Sequence, residues 1–468
     1  MKTKTTHILS LSLAVLLLLI LLAACQSTGA DTPASGDNSA AADAPTLTDL
    51  PATDTLVLYI PEDMESKMQS QIVRYTELYG VEVETVIVEG GVEEYIERVV
   101  DDLAGGHGPD VLFLDELIYM DVAKAALNYN FLDLSEILAG DDEFSEDDYL
   151  AGVFDACRFG GRQYTIPLSF FSPLFLSAES KLEELGFDWE SIKKTSDFLE
   201  EISRLTPYAE QSAGFAQMMS SKNYFGYFWE SSGIRLLDYE NNVILPDEEA
   251  LGDFLYAYKT YFHYDDEKVG EIYILTSAGN GAESLIQGEF MFWLASFYIT
   301  ELTMNIDELL ESPYGYVFSP LPSEAEEVIG SIRGQMAISA NAVNKRNAYN
   351  FIKMMLSEEV QSNQRLSSFH MPIHKEAIKR IVYGTHQWDV SHEGKIYTFS
   401  GYRSTELSNE ELDAIIETII SVDRFAQQNA SNVSVMLFES MLPFFKDEKS
   451  YDDCLADLKN RLTLYLSE

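Results

Sequence analysis

Basic residues are scarce in this chain. Its 468 residues hold 31 Lys and Arg against 77 Asp and Glu, a formal net charge of -46 at pH 7. A field of that sign repels phosphate backbones, so nucleic acid is excluded as a partner. It repels an anionic bilayer surface as well, so charge cannot hold a folded body there. Cysteine is scarcer still, with only Cys25, Cys157 and Cys454. The last two stand 297 positions apart and nothing in the sequence pairs them, so two unpaired, buried thiols are expected. No G-x-x-x-x-G-K-[ST] loop and no G-x-G-x-x-G after a strand offers a nucleotide phosphate its cradle, so no nucleotide cofactor is expected. No H-E-x-x-H occurs, and Pro372 keeps His370 and His374 from sharing a helix face. His370, His374, His386 and His392 lie close together, but their spacing is loop-like and no cysteine joins them, so no metal is expected. Asp141 to Asp148 lacks the glycine and alternating oxygens of an EF-hand loop and reads as a solvated connection. Glycosidases use paired carboxylates, yet with 77 acids no pattern singles out two. Long apolar runs are equally rare. The one that occurs, Ile8 to Leu22, is about 15 residues, short of the roughly 20 that span a bilayer as a helix.

That run is the first informative presence. Lys2 and Lys4 precede it and Leu22-Ala23-Ala24 leads into Cys25. A basic tip, an apolar stretch and small residues at a cut site describe a secretory signal over residues 1–24. The Leu-Ala-Ala-Cys ending resembles the lipobox of bacterial lipoproteins, which implies that Cys25 is lipidated and becomes the mature N-terminus. Residues 25–54 are mostly Ala, Ser, Thr, Asp, Gly and Pro, with no aromatic and no Lys or Arg. Such a segment cannot bury enough apolar surface to offset the entropy of ordering, and it reads as a flexible tether. For about 28 residues its r.m.s. reach is roughly 30 Å.

The body behind the tether is longer than one core usually supports, so two lobes are expected. It opens with a strand from Thr55 to Ile60. Met64, Met68, Ile72, Tyr75 and Tyr79 then recur at helical spacing before Gly80, a C-cap residue. A β-branched strand, Val81 to Val88, follows. The stripe Val92, Tyr95, Ile96, Val99, Val100, Leu103 ends at Gly105-Gly106, ahead of a buried strand from Val111 to Leu114. Alternating strands and helices at this spacing predict parallel βαβ units, with ligands at the carboxyl edge of the strands. From Lys181 onward helices dominate, with aromatic clusters at Tyr224 to Trp229 and Phe254 to Tyr264.

Six short segments then occur in a telling order. They are Gly106-His107-Gly108-Pro109-Asp110-Val111, Phe131-Leu132-Asp133-Leu134, Gly161 to Pro167, Gln287 to Met291, Ala337 to Ala340 with Asn344 to Ala348, and Ser357 to Gln361. Together they resemble the signatures of the extracellular solute-binding proteins of ABC importers, in the group that takes sugars and oligosaccharides. The resemblance runs from about Thr55 to Leu466. Two departures stand out: Leu176-Ser177 replaces the family's Tyr-Asn, and Phe297 replaces its Trp. The resemblance implies an α/β, two-lobed periplasmic-binding-protein-like fold, each lobe a sheet flanked by helices, with an interlobe hinge and a ligand cleft. Residues 55–168 plus 314–356 are expected to form lobe 1, and 169–313 plus 357–468 lobe 2.

Sugars present hydroxyls at their edges and C–H groups on their faces, so a site needs carboxylates, amides and flat aromatics. Asp115 and Glu116 end the third strand, where α/β sites form. Phe170 and Phe171 follow the first crossing and are expected to face the cleft or the second core. Trp229 is a candidate stacking platform, with Phe297 and Tyr298 by their place within the resemblance. Arg333 is a candidate to meet an acidic ligand group or an acidic residue across the lobes. The expected function is capture of a sugar or oligosaccharide by hinge closure and delivery to ABC permease subunits, without catalysis, cofactor or metal. The protein is expected to be monomeric, on the extracytoplasmic face of the cell membrane, held by its lipid. The alternatives are a surface lipoprotein enzyme acting on carbohydrate, a ligand sensor, or the same fold binding a cationic solute.

Overall fold

A computed structural model of the chain describes residues 47–467 apart from 91, 115–120, 129, 205–221, 262–291, 295–306, 308–310, 316, 364–370, 393–394, 405 and 428–430. The leader, Cys25, most of the tether, Asp115, Glu116, Phe297, Tyr298 and His370 therefore lie outside the described residues.

The strand Thr55–Pro61 carries apolar side chains on both faces, as a central strand covered on both sides must. Leu56, Leu58 and Ile60 enter one core cluster, while Val57 and Tyr59 enter another on the opposite face. The same alternation holds in Val111–Leu114 and Gln335–Ile338, which fixes their register through the period of two. These strands join Glu82–Val88 and Ile166–Pro167 in one five-stranded sheet. Thr55–Pro61 runs parallel to both Glu82–Val88 and Val111–Leu114, and Gln335–Ile338 runs antiparallel to Val111–Leu114. The helices Glu65–Tyr79 and Val92–Ala104 make the crossovers. The first ends at Gly80, at φ 67°, whose N–H bonds Thr76 O, so the sequence-predicted C-cap is present.

Asp110 shows why its turn takes this form. It is buried, and Oδ2 accepts from Val57 N (2.9 Å) while Oδ1 accepts from Val343 N (3.1 Å) and Asn344 N (3.0 Å). One carboxylate thereby ties the first strand to the start of the helix Lys345–Met355. Arg346 and its neighbours grip the chain that enters the fold. Arg346 donates to the carbonyls of Leu47, Thr48 and Leu50, and Asn347 Nδ2 donates to Thr53 O at 2.9 Å.

A second core gathers Phe175, Phe198, Phe225, Phe228, Trp229, Phe254, Leu437 and Leu458. It is built from the helices Thr195–Arg204, Lys222–Ser232, Glu248–Tyr261, Ser431–Phe445 and Tyr451–Ser467. A three-stranded antiparallel sheet backs it, with Leu174–Ser177 between Phe292–Leu294 and Val317–Pro320. A four-stranded sheet of Met371–Pro372, Ser169–Phe171, Ile329–Ile332 and Arg424–Ala426 packs Phe170, Ile332 and Met371 into the first core. The chain passes between cores along Ser169–Phe171, along Ile329–Ile332 and along Arg424–Ala426, so three crossings join the lobes. Helices Lys375–Val382 and Asn409–Ile420, which the sequence division grouped with lobe 2, bury Ile378, Ile381, Leu412, Ile416 and Ile419 in the first core. No helix among the described residues is long and apolar enough to cross a membrane.

Candidate functional site

A cavity of about 800 Å³ lies between the cores. The first lobe lines it with Leu114, Asp121, Leu127, Arg158 and Phe159. The second supplies the turn Ser232 to Arg235 and the stretch Leu237 to Asn241, and the crossings supply Arg333, Gln335 and Arg424 to Gln427. The site is thus at the junction where three chain passages meet, at the carboxyl end of Val111–Leu114.

The crossings make the floor. Gln335 and Gln427 exchange amide hydrogen bonds at 3.2 and 2.9 Å, and Gln335 Oε1 also accepts from Thr165 Oγ1 at 2.8 Å. Gln427 Nε2 lies 3.3 Å from Cys157 Sγ. Burial pushes the Cys157 thiol up to about 12, so it stays neutral. Cys157 and Cys454 are both free and buried, in different cores, as expected of unpaired thiols. Phe425 lies on this floor with Phe170 edge-on to it at 5.2 Å. Its place depends on Gly330, whose absent Cβ would sit 2.6 Å from the Phe425 ring.

Charges in the walls are held by internal partners. Arg333 is 4% exposed, bonds Glu230, and lies over the Phe171 ring with Cζ 5.0 Å from its centroid. Arg158 meets Glu146 and Asp155, and Arg424 meets Glu327 at 2.6 Å. Glu324 accepts from Ser196 N (2.8 Å) and Ser196 Oγ (2.9 Å), and burial raises its pKa despite those donors. Flat faces come from Phe159, Tyr239 and Phe425.

The sequence candidates divide accordingly. Arg333 lines the cavity and pairs with Glu230 on the helix Lys222–Ser232 of the second lobe. Phe170 and Phe171 are fully buried, Phe170 in the first core and Phe171 beneath Arg333. Trp229 is 1% exposed in the second core, its ring parallel to Phe225 with centroids 6.4 Å apart and Nε1 donating to Ser434 Oγ at 3.3 Å. Trp229 is enclosed by protein, packing with Phe225, Phe228 and Phe254 in one core. No group of three metal-ligating side chains occurs among the described residues. His374 caps the helix Lys375–Val382, accepting from Glu376 N at 3.2 Å, and His386 Nδ1 faces Arg380 O at 3.2 Å.

Gln335, Gln427, Asp121, Tyr239 and Phe425 escaped the sequence reading. Asp121 carried one readable signal, an N-cap residue before an apolar helical stretch. Tyr239 sits between strands of two residues each, Leu237–Asp238 and Val243–Ile244, too short to register as a pattern.

A model of the family described as bacterial extracellular solute-binding protein matches residues 60–362. Compared with curated proteins, the sequence has no match. Among solved structures, an ABC substrate-binding protein from Listeria monocytogenes in complex with cycloalternan is similar at 12% identity, covering 88% of this chain and 99% of its own, with a TM-score of 0.54. UgpB from Mycobacterium tuberculosis in complex with glycerophosphocholine is similar at 14% identity over 88% and 98%, with a TM-score of 0.55. The maltose-bound MalE3 of T. maritima is similar at 16% identity over 88% and 99%, with a TM-score of 0.53. At such identities the likeness is one of fold, and the fold is two-lobed.

Proposed function

Because the chain belongs to the bacterial extracellular solute-binding proteins, we propose that it captures a sugar or oligosaccharide between its lobes and delivers it to the permease of an ABC importer. The observation that carries this reading is the cavity of about 800 Å³ walled by both cores and floored by the crossings. That volume lies high in the roughly 300–1,000 Å³ range of small-molecule sites, which favours more than one sugar ring. Its chemistry suits hydroxyls. The Gln335–Gln427 amides, the carboxylates of Asp238 and Glu240 and the guanidinium of Arg235 are edge partners, while Phe159, Tyr239 and Phe425 offer faces. Asp115, Glu116, Phe297 and Tyr298 are proposed to complete the site, with Arg333 holding its crossing in place.

Capture then needs only differential affinity. A solute touching both lobes binds the closed arrangement better than the open one and shifts the population toward it. The chain performs no chemistry on its solute in this reading, and the monomer is the working unit. A lipid on Cys25 and the part of the tether before Leu47 would keep the body near its permease and raise the effective concentration there. Isothermal calorimetry against a library of neutral, acidic and amino sugars, with mass spectrometry of the recovered solute, tests it. One sugar bound one-to-one and recovered intact supports capture. Turnover of that sugar, or heat only from cationic solutes at low ionic strength, sinks it.

A further inference from the structure

The helix Val122–Leu127 starts at Asp121, whose Oδ1 accepts from Lys124 N at 3.0 Å. An N-cap uses one carboxylate oxygen. The other oxygen, Oδ2, accepts from the hydroxyls of Tyr239 and Tyr465, the latter at 2.7 Å. Both tyrosines pack against the second core, whereas the helix behind Asp121 buries its Ala126 in the first lobe in one cluster with Phe131 and Phe159. One carboxylate of the first lobe therefore holds two hydroxyls of the second.

Neighbouring contacts strengthen the bridge. Lys124 Nζ donates to Tyr465 O at 3.0 Å and stands 4.7 Å from the centre of its ring. Gly160 N, in the turn between Arg158–Phe159 and Arg162–Gln163, donates to Glu240 Oε1 at 2.7 Å. Asn432 Nδ2 donates to Tyr465 OH at 3.2 Å, which orients that hydroxyl from behind. Burial and the Asp121 carboxylate raise the pKa of both tyrosines, so they remain donors.

We propose that Asp121 is a positioning residue for solute capture, gripping Tyr239 and Tyr465 across the cleft so that it sets affinity through closure, with both its oxygens taken by protein donors. The inference rests on the capture reading for that consequence, since the apparent dissociation constant varies inversely with the competent fraction. A charge-assisted hydrogen bond is about twice as strong as a neutral one, and these bonds exist only when the lobes meet.

The clasp can be tested without any sugar, so its failure and that of the capture reading are separable. Spin labels on E136C and E183C, exposed helix positions on the first and second lobes, report the interlobe distance in the full chain carrying C25S. Cys157 and Cys454 are buried and stay unlabelled. D121N keeps the capping oxygen but turns a donor toward the two hydroxyls. The pair Y239F and Y465F removes the hydroxyls and keeps the rings. Both variants are expected to raise the longer-distance population about tenfold relative to the shorter one, with little change in melting temperature. Distance distributions that match the parent in both variants overturn the proposal, and so does a lowered melting temperature with unchanged distances.

Discussion

Asp110 and Cys157 show how a buried polar atom is either fully used or silenced. Asp110 serves three backbone N–H groups from two separate segments. Asp110→Ala leaves all three without their acceptor and is expected to cost about 2–4 kcal/mol, read as a lower urea midpoint. The Cys157 thiol has the opposite character. With its pKa pushed up to about 12 by burial, it is expected to ignore a thiol reagent at pH 8 until the chain is unfolded, and fast labelling of the native protein would contradict that placement.

Gly330 belongs to the scale of elements, since it lets the strand Ile329–Ile332 lie against Phe425 of the strand Arg424–Ala426. Gly330→Ala is expected to push that ring off the cavity floor, costing about 1–3 kcal/mol by overpacking and weakening, in calorimetry, binding of the proposed sugar. Elements of this kind were only partly legible. The first lobe could be read because its strands and helices carry full periods of two and 3.6 along contiguous chain, down to the cap at Gly80. The first crossing could be placed by Gly161 to Pro167, yet the pairing of Ile329–Ile332 with Arg424–Ala426 joins residues about a hundred positions apart. The site was harder for the same reason. Its walls draw on residues from Leu114 to Val433, and no local pattern marks Gln427 or Tyr239 as neighbours of Arg158. The dense aromatics at Tyr224 to Trp229 made Trp229 a candidate platform by composition alone, and burial is what places Trp229 in a core with Phe225 and Phe228.

At the scale of the whole molecule, acid is expected to weaken the fold before its carboxylates protonate. Burial lowers the pKa of His374 and of His386 below the ordinary histidine value of about 6.5. The unfolded chain takes up these protons as pH falls through about 6.5 while the native protein resists them, so stability is full above that pH and declines beneath it. Urea midpoints at pH 7.5 and 5.5 should differ accordingly, and His374→Asn, which can still cap its helix, should flatten the difference. A uniform midpoint across that range would contradict the burial argument. The lobes, joined by three crossings and clasped at Asp121, also differ in what reaches them from outside. The incoming chain is strapped at Leu47 to Thr53 onto Arg346 and Asn347, entirely on the first lobe. A pull on the N-terminus therefore meets the first lobe before any crossing. If the lobes close over a solute as proposed, the first lobe is the post and the second the leaf, and a pull on the N-terminus would neither open nor shut them.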